Sequence, residues 1–324
     1  MKAAKLIFCS LLASGCGFGL AGAAGNFDAL DALTKDAQGL AAPVTAAPAA
    51  AAVPAQLPLA DPSCPRNLSN GVIVAFSGGL PPELPSSLSR RFDEYIASVN
   101  SDPLVKKCSG GAGFAYKLLD GQKSAHLHQV KWAQACKAIK EQKAGGPVII
   151  AGYSMGGGAA VSLARCLNAG GRPVDLLLTL DTVPTGDDEG DVYAVPPNVS
   201  FNVNLFQTPN AVTFLVPFPF GHANKREDGA APENILNAGM HYHEPAAAAH
   251  VHLIYSFSGG SKTEDNAYST PFALRDVTLA WAGGATSAGL KEKAIGLLRD
   301  ISAVDKIKVT FPGIPNGDIP APRE

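Results

Sequence analysis

A serine at the centre of a short glycine-rich motif is the candidate nucleophile. The motif is Gly-Tyr-Ser-Met-Gly-Gly at residues 152–157, a G-x-S-x-G pattern centred on Ser154. It lies between the apolar run PVIIAG (147–152) and a stretch with helical character at 156–168. Small residues let the chain turn sharply from strand to helix, which exposes the serine and leaves helix N-terminal N–H groups available to an oxyanion. The pattern therefore predicts acyl-transfer chemistry at Ser154.

Apolar runs and helical patterns alternate along the chain on both sides of this motif. Strands are predicted at 71–76, 113–119, 147–152, 174–180, 199–206 and 234–240. Helices are predicted at 86–98, 130 to about 145, 156–168, 246–255, 272–281 and 290–301. The run VDLLLTL at 174–180 is almost continuously apolar, which is typical of a strand buried on both faces of a parallel sheet. This order predicts an α/β fold with a doubly wound, mostly parallel sheet and flanking helices.

The element order and the serine motif together resemble the α/β-hydrolase superfamily, over roughly residues 70–257. The resemblance implies the α/β-hydrolase fold and an esterase-like or lipase-like serine hydrolase. It also implies a nucleophile, an acid and a histidine in that chain order, and no cofactor.

The acid is predicted at the end of the strand that follows the serine motif. Asp181 directly follows the strand at 174–180, and parallel strands place their carboxyl ends at one edge of the sheet. Most members of the superfamily carry the acid one strand later, but here the strand at 199–206 is followed by Gln-Thr-Pro-Asn. We therefore assign Asp181 as the acid. The replacements are Asp187, Asp188, Asp191 and Asp228.

The base is predicted just after the last strand, where the superfamily carries its catalytic histidine. The sequence there is Gly-Met-His-Tyr-His-Glu-Pro at 239–245, so His241 and His243 both qualify. We prefer His241 because a small residue and an apolar residue precede it, as in relatives, and keep His243 as the alternative base. His222 we interpret as an exposed polar residue.

Two further features are predicted around the serine. The oxyanion hole should combine the Met155 N–H with backbone from Gly78 and Gly79, which follow the first strand. The aromatic run FLVPFPF at 214–220 predicts a pocket wall or lid, in which Phe218 and Phe220 would contact an acyl or aromatic group. Ordinary packing of this loop on the core explains the run equally well.

Two other classes of function remain open. His241, His243, His250 and His252 form two H-x-H pairs, which would suit a metal-dependent hydrolase with Glu244 as a further ligand. The serine motif needs no metal, however, and no second histidine cluster supports this hypothesis, so we assign no metal ligands. The other alternative is a non-catalytic envelope binding protein of α/β-hydrolase type, which would have no reason to activate Ser154.

Charge and composition limit the partners. The 324 residues carry 26 Lys+Arg against 28 Asp+Glu, a formal net charge of −2, so no basic surface for nucleic acid is indicated. Hydrophobic residues make up 46% of the chain, which excludes wholesale disorder. We expect a monomer that acts on a small acyl ester or a lipid.

The N-terminal region indicates export. Lys2 and Lys5 precede an uncharged stretch, which predicts a secretory signal peptide at 1–25. Cys16 lies in a segment similar to a bacterial lipobox, so a lipid anchor at Cys16 is an alternative to cleavage. An Ala/Pro-rich linker follows at 26–60, and the hydrolase domain with its C-terminal helices occupies 61–324. We expect a periplasmic or secreted protein, or a membrane-anchored lipoprotein.

Four cysteines remain outside the predicted signal peptide, and an even number in an exported chain predicts two disulfides. We favour Cys64 with Cys108, and Cys136 with Cys166, among the three connectivities that four cysteines allow. The second pair falls on two helices that flank one predicted strand.

Overall fold

The computed structural model describes residues 63–78, 85–119, 125–142, 145–184, 188, 190–208, 221–230, 232–242, 270–315 and 317–320. The described residues belong to one compact unit, Ala60–Glu324. The predicted signal peptide at 1–25, the predicted linker at 26–60 and the proposed anchor Cys16 lie outside the described residues.

A seven-stranded sheet lies at the centre of this unit. In spatial order it contains β2 (Ala115–Leu119), β1 (Val72–Phe76), β3 (Val148–Tyr153), β4 (Val174–Leu180), β6 (Val199–Gln207), β8 (Ile235–His241) and β9 (Lys308–Thr310). The first six strands are parallel, and β9 is antiparallel to β8. A separate pair of short parallel strands joins β5 (Ala194–Val195) to β7 (Lys225–Arg226). The carboxyl ends of the parallel strands therefore meet at one edge of the sheet.

Helices cover both faces of the sheet. They are α1 (Pro85–Ser101), α2 (Pro103–Cys108), α3 (Ala125–Glu141), α4 (Met155–Ala169), α5 (Thr270–Ala282) and α6 (Ser287–Asp305). One apolar core contains buried residues of α1, α5 and α6, and a second core contains those of α3 and α4. This arrangement is compatible with a doubly wound α/β fold. Within the described ranges no helix combines the length and the apolar character needed to cross a membrane.

The strand and helix pattern predicted from sequence is present. All six predicted strands occur, as do the five predicted helices that fall on described residues, with ends shifted by a few residues. The helix predicted at 246–255 lies outside the described residues. The sequence did not predict α2, the short strands β5 and β7, or the antiparallel edge strand β9. These elements are short, so periodicity gives little signal for them.

Two disulfides join elements that are distant in sequence, and both confirm the predicted pairing. Cys64, which lies before β1, is bonded to Cys108 at the end of α2. Cys136 of α3 is bonded to Cys166 of α4. Because α4 follows the serine motif directly, the second bond ties that helix to its neighbour.

We predict that the double variant Cys136→Ser/Cys166→Ser loses about 3–4 kcal/mol of unfolding free energy, because this bond closes a loop of 30 residues in the unfolded chain. Denaturant unfolding of the wild-type and variant proteins measures the difference. A loss below about 1 kcal/mol would contradict the prediction.

Candidate active site

Ser154 occupies a strained turn between β3 and α4. Its φ is 57° and its ψ −128°, a backbone conformation that a residue with a side chain rarely adopts. Such a conformation costs about 1–3 kcal/mol and persists only where the surroundings enforce it. The Ser154 side chain makes no capping hydrogen bond to α4, so the hydroxyl is not used to terminate its own helix.

The end of β4 enforces this turn. The Ser154 N–H donates to the Leu180 carbonyl at 2.9 Å, and the Ser154 carbonyl accepts from the Val183 N–H at 3.0 Å. A third hydrogen bond, from the Gly157 N–H to the Ser154 carbonyl at 2.9 Å, closes the turn from the helix side. We call the two bonds to residues 180 and 183 the elbow clamp.

Two glycines of the serine motif allow β3, α4 and β1 to approach closely. A Cβ at Gly152 would meet the Gly156 carbonyl oxygen, and a Cβ at Gly156 would meet the Phe76 carbonyl oxygen. The glycines of the G-x-S-x-G pattern are therefore required by close backbone contact, whereas the sequence predicted only that small residues allow a sharp turn.

Gly78 brings the loop after β1 against the serine. A Cβ built on Gly78 would lie 2.7 Å from Ser154 Cβ and 2.9 Å from Tyr153 Cδ1. Gly78 is buried, and Met155 is partly buried as the first residue of α4. Two predicted oxyanion-hole residues, Gly78 and Met155, thus flank Ser154. The third, Gly79, lies outside the described residues.

Asp181 lies beside Ser154 at the same edge of the sheet. Tyr153 and Leu180 are partners in the β3–β4 register, so Ser154 and Asp181 are the next residues on the two neighbouring strands. Asp181 is fully buried with a φ of 44°. Its own N–H donates to the Leu205 carbonyl of β6 at 2.6 Å.

Two backbone N–H groups stabilise the Asp181 carboxylate. Its Oδ1 accepts from the Gln207 N–H at 3.0 Å and from the Gly221 N–H at 3.1 Å. A buried carboxylate is costly unless it is hydrogen-bonded. These two bonds lower that cost and restrict the rotation of the carboxylate.

The replacement acids among the described residues have other roles. Asp191 forms a salt bridge with Lys225 at 2.9 Å, and the hydrogen bond from Lys225 lowers the pKa of Asp191. Asp228 pairs with Arg226 at 2.7 Å, and that hydrogen bond lowers the pKa of Asp228 to about 2. Asp188 Oδ1 lies against Gly158 in the first turns of α4. Asp187 lies outside the described residues.

His241 does not contact Ser154 or Asp181 in the part of the chain that the structure describes. It is the last residue of β8, paired with Lys308, and its Nε2 lies 3.5 Å from Thr310 Oγ1 of β9. Burial and the charge of Lys308 lower its pKa, while Asp318 acts in the opposite direction. Because β8 lies three strands from β3, the two backbones are about 14 Å apart at ~4.8 Å per strand.

Other predicted site residues fall outside the described residues. These are the alternative base His243, the pocket residues Phe218 and Phe220, and His250 and His252 of the histidine pairs. Across the described ranges there is no group of three or more His, Cys, Asp and Glu side chains that could hold a metal ion. The metal hypothesis is not tested by this observation, because it depends mainly on histidines beyond those ranges.

Sequence reasoning did not identify Tyr193 beside the acid. The Tyr193 hydroxyl donates to the Thr182 carbonyl at 3.1 Å, and its ring makes an edge contact with His222 at 5.0 Å between centroids. Burial raises the pKa of Tyr193, and the charge of Asp181 adds to this effect. Tyr193 also lines a shallow cleft of about 280 Å³. The cleft is formed by Pro184, Asp188, Gly190, Asp191, Val192 and Tyr193.

The comparisons with known proteins do not assign the chain to a family. No protein-family model matches it, and no curated protein matches it either.

We predict that Gly78→Ala lowers ester hydrolysis at least about 10²-fold, because the new methyl group would displace the Ser154 side chain. The assay is initial-rate hydrolysis of p-nitrophenyl acetate. The matched control is Gly296→Ala in α6, where an added Cβ meets no atom within 4 Å. Equal activity of the two variants would contradict the assigned contact.

Proposed function

We propose that the protein is a serine hydrolase that cleaves a carboxylic ester or thioester through an acyl-enzyme on Ser154. The observation that carries this proposal is the strained turn at Ser154, held beside a buried, hydrogen-bonded Asp181 at the carboxyl edge of a parallel sheet. A turn that merely joined a strand to a helix would not need a serine at positive φ, because glycine adopts that conformation without strain.

The order of the elements supports an α/β-hydrolase type of fold. The candidate nucleophile follows β3, the candidate acid follows β4, and the two candidate bases lie at the end of β8 and two residues beyond it. All three strands are parallel members of one sheet. Nucleophile, acid and base thus occur in the chain order of the superfamily.

We assign the general base to the segment at the end of β8, and within it to His243 rather than to His241. The His241 ring contacts Thr310 and faces Lys308 on the edge strand. A base must come within hydrogen-bond distance of the serine hydroxyl. His243, two residues further along the chain, is the other histidine that the sequence offers in this segment, and we therefore prefer it.

In the acylation step, Ser154 Oγ attacks the carbonyl carbon of the substrate while the imidazole takes the hydroxyl proton. The charge on the substrate oxygen is stabilised by the N–H of Met155 and by backbone N–H from the Gly78 loop, each worth roughly 3–4 kcal/mol. The tetrahedral intermediate then collapses. It expels the alcohol or thiol, which receives the proton from the imidazolium, and leaves an acyl ester on Ser154.

In the deacylation step, water attacks the acyl carbonyl and gives a proton to the imidazole. Collapse of the second intermediate releases the carboxylic acid and returns the proton to Ser154 Oγ. Asp181 stays ionised throughout and holds the imidazole in the required tautomer. The N–H groups of Gln207 and Gly221 hold that carboxylate in place.

The substrate class follows from the parts of the site. Esterases, lipases and thioesterases share this machinery, and the aromatic run at 214–220 favours an acyl or aromatic group on the substrate. We further propose that the protein is exported and acts outside the cytoplasm. Its two disulfides are compatible with an oxidising environment.

We predict that Ser154→Ala lowers kcat for p-nitrophenyl butyrate by at least about 10³-fold, because the acyl-enzyme cannot form. The thermal unfolding midpoint should change little, since the substitution removes only the hydroxyl oxygen and keeps the backbone hydrogen bonds of the turn. The control is Ser162→Ala on the same helix. Ser162 is fully buried, and its hydroxyl has no partner in the described part of the chain. Wild-type turnover in Ser154→Ala would exclude the proposed function.

We predict that His243→Ala lowers kcat/KM at least about 10³-fold and that His241→Ala changes it less than about 10-fold. The wild-type kcat/KM should fall as the pH is lowered, because the base becomes protonated. The pH profile of kcat/KM for His241→Ala should show the same fall at low pH. The opposite ranking of the two variants would restore His241 as the base.

A further inference from the structure

A short segment reaches the candidate acid and contacts three strands of the sheet. Residues 221–224, which we call the acid strap, contact Asp181 at the end of β4 through the Gly221 N–H. The His222 carbonyl accepts a hydrogen bond from Asn204 of β6, and Asn224 pairs with Asn237 of β8. The strap then continues directly into β7.

Buried amides anchor this strap. Asn202 and Asn204 of β6, Asn237 of β8 and Thr179 of β4 are all buried, as is Asn224 of the strap itself. The strand members alternate with apolar residues of the core on the opposite face, so the four share one face of the sheet. We call these five residues the amide cluster.

Within the amide cluster, the Asn237 side chain forms hydrogen bonds with both the N–H and the carbonyl of Asn224, as the backbone of a neighbouring strand would. The Asn224 N–H donates to Asn237 Oδ1 at 2.7 Å, and Asn237 Nδ2 donates to the Asn224 carbonyl at 2.9 Å. The Asn224 side chain donates to Thr179 Oγ1 at 3.1 Å and to Asn202 Oδ1 at 3.0 Å. Backbone and side chain of Asn224 are therefore both held.

Asn204 connects the amide cluster to the residue next to Gly221. Its Nδ2 donates to the His222 carbonyl at 2.8 Å and to Asn237 Oδ1 at 2.9 Å. Its Oδ1 accepts from Thr179 Oγ1 at 3.0 Å. Within the cluster, Asn204 is the side chain that holds the strap nearest to the acid.

The position of the strap is narrowly defined at Gly221. A Cβ on Gly221 would lie 2.5 Å from Asp181 Oδ1 and 2.9 Å from Phe206 Cβ. Only a glycine backbone can approach the carboxylate this closely, so a small displacement of the strap would break the Gly221–Asp181 hydrogen bond. The five buried polar side chains of the amide cluster cost stability compared with apolar packing unless they are fully bonded. A role in placing the strap accounts for their presence.

We infer that Asn204 is a positioning residue for the catalytic acid, an inference that rests on the proposed function. By binding the His222 carbonyl, Asn204 holds the Gly221 N–H against Asp181 Oδ1. Together with the Gln207 N–H this fixes the rotation of the carboxylate that orients the base. Asn204 itself touches neither the substrate nor the reacting atoms.

The test compares Asn204→Ala with the matched control Asn198→Ala. Asn198 Nδ2 also donates to two backbone carbonyls, those of Ala164 at 3.1 Å and Arg172 at 2.8 Å, but at the amino end of β6. Both variants should lower the thermal unfolding midpoint. Only Asn204→Ala should lower kcat for p-nitrophenyl butyrate, by about 10- to 100-fold, with KM changed less than about 2-fold.

A second readout does not depend on activity. Hydrogen exchange of the Gly221 amide, measured by NMR, should be at least about 10-fold faster in Asn204→Ala than in the wild-type protein, and unchanged in Asn198→Ala. If Asn204→Ala does not fold, Asn204→Ser takes its place, because serine keeps a hydroxyl but lacks the Nδ2 group that donates to the His222 carbonyl and to Asn237 Oδ1.

Unchanged kcat in Asn204→Ala, or an equal loss of kcat in both variants, would overturn the inference. Unchanged exchange at Gly221 would overturn it as well. Failure of the proposed function has a different signature: the wild-type protein would show no turnover, while exchange at Gly221 would still report whether Asn204 holds the strap.

Discussion

Two peptide hydrogen bonds of the elbow clamp join the turn at Ser154 to the end of β4. They connect the Ser154 N–H to the Leu180 carbonyl and the Val183 N–H to the Ser154 carbonyl. The strained backbone of Ser154 would relax without them, because nothing in a serine side chain favours positive φ. Asp181 lies between Leu180 and Val183, the two residues that these bonds join to Ser154. The same bonds therefore place Asp181 next to the nucleophile. One constraint thus sets both the position of the buried Ser154 at the sheet edge and its proximity to the acid.

The hydrogen bonds around Asp181 depend on one another. The carboxylate is buried and requires donors, which Gln207 and Gly221 supply through their backbone. Gly221 can supply its N–H only if the acid strap stays in place, and the amide cluster holds that strap. The buried amides of the sheet cost stability, and in return they position the carboxylate of Asp181.

The central sheet was predictable from sequence because periodicity identifies long, buried elements well. The run at 174–180 and the motif around Ser154 placed the nucleophile and the acid at one edge. The asparagines of β6 were not predictable, because Asn202 and Asn204 alternate with apolar residues as they would on a solvent-facing strand. Their burial depends on the strap, which comes from distant sequence and carries no periodic signal.

The end of β8 shows a second limit of sequence reasoning. The predicted strand ended at residue 240, whereas β8 extends one residue further and pairs with β9. Because of this one-residue extension, His241 belongs to the β8–β9 pairing and not to a loop, and its Nε2 lies near Thr310 Oγ1. Strand ends are set by partner strands, and β9 is a three-residue partner that local sequence does not reveal.

Whether Ser154 is an activated nucleophile can be tested by covalent labelling of the purified protein with a fluorophosphonate, followed by mass spectrometry of the modified peptide. An activated serine displaces fluoride and forms a phosphonyl ester through its Oγ. We expect one adduct per chain, on Ser154, and none after Ser154→Ala. Folded wild-type protein that forms no adduct, or an adduct on a different residue, would contradict this expectation.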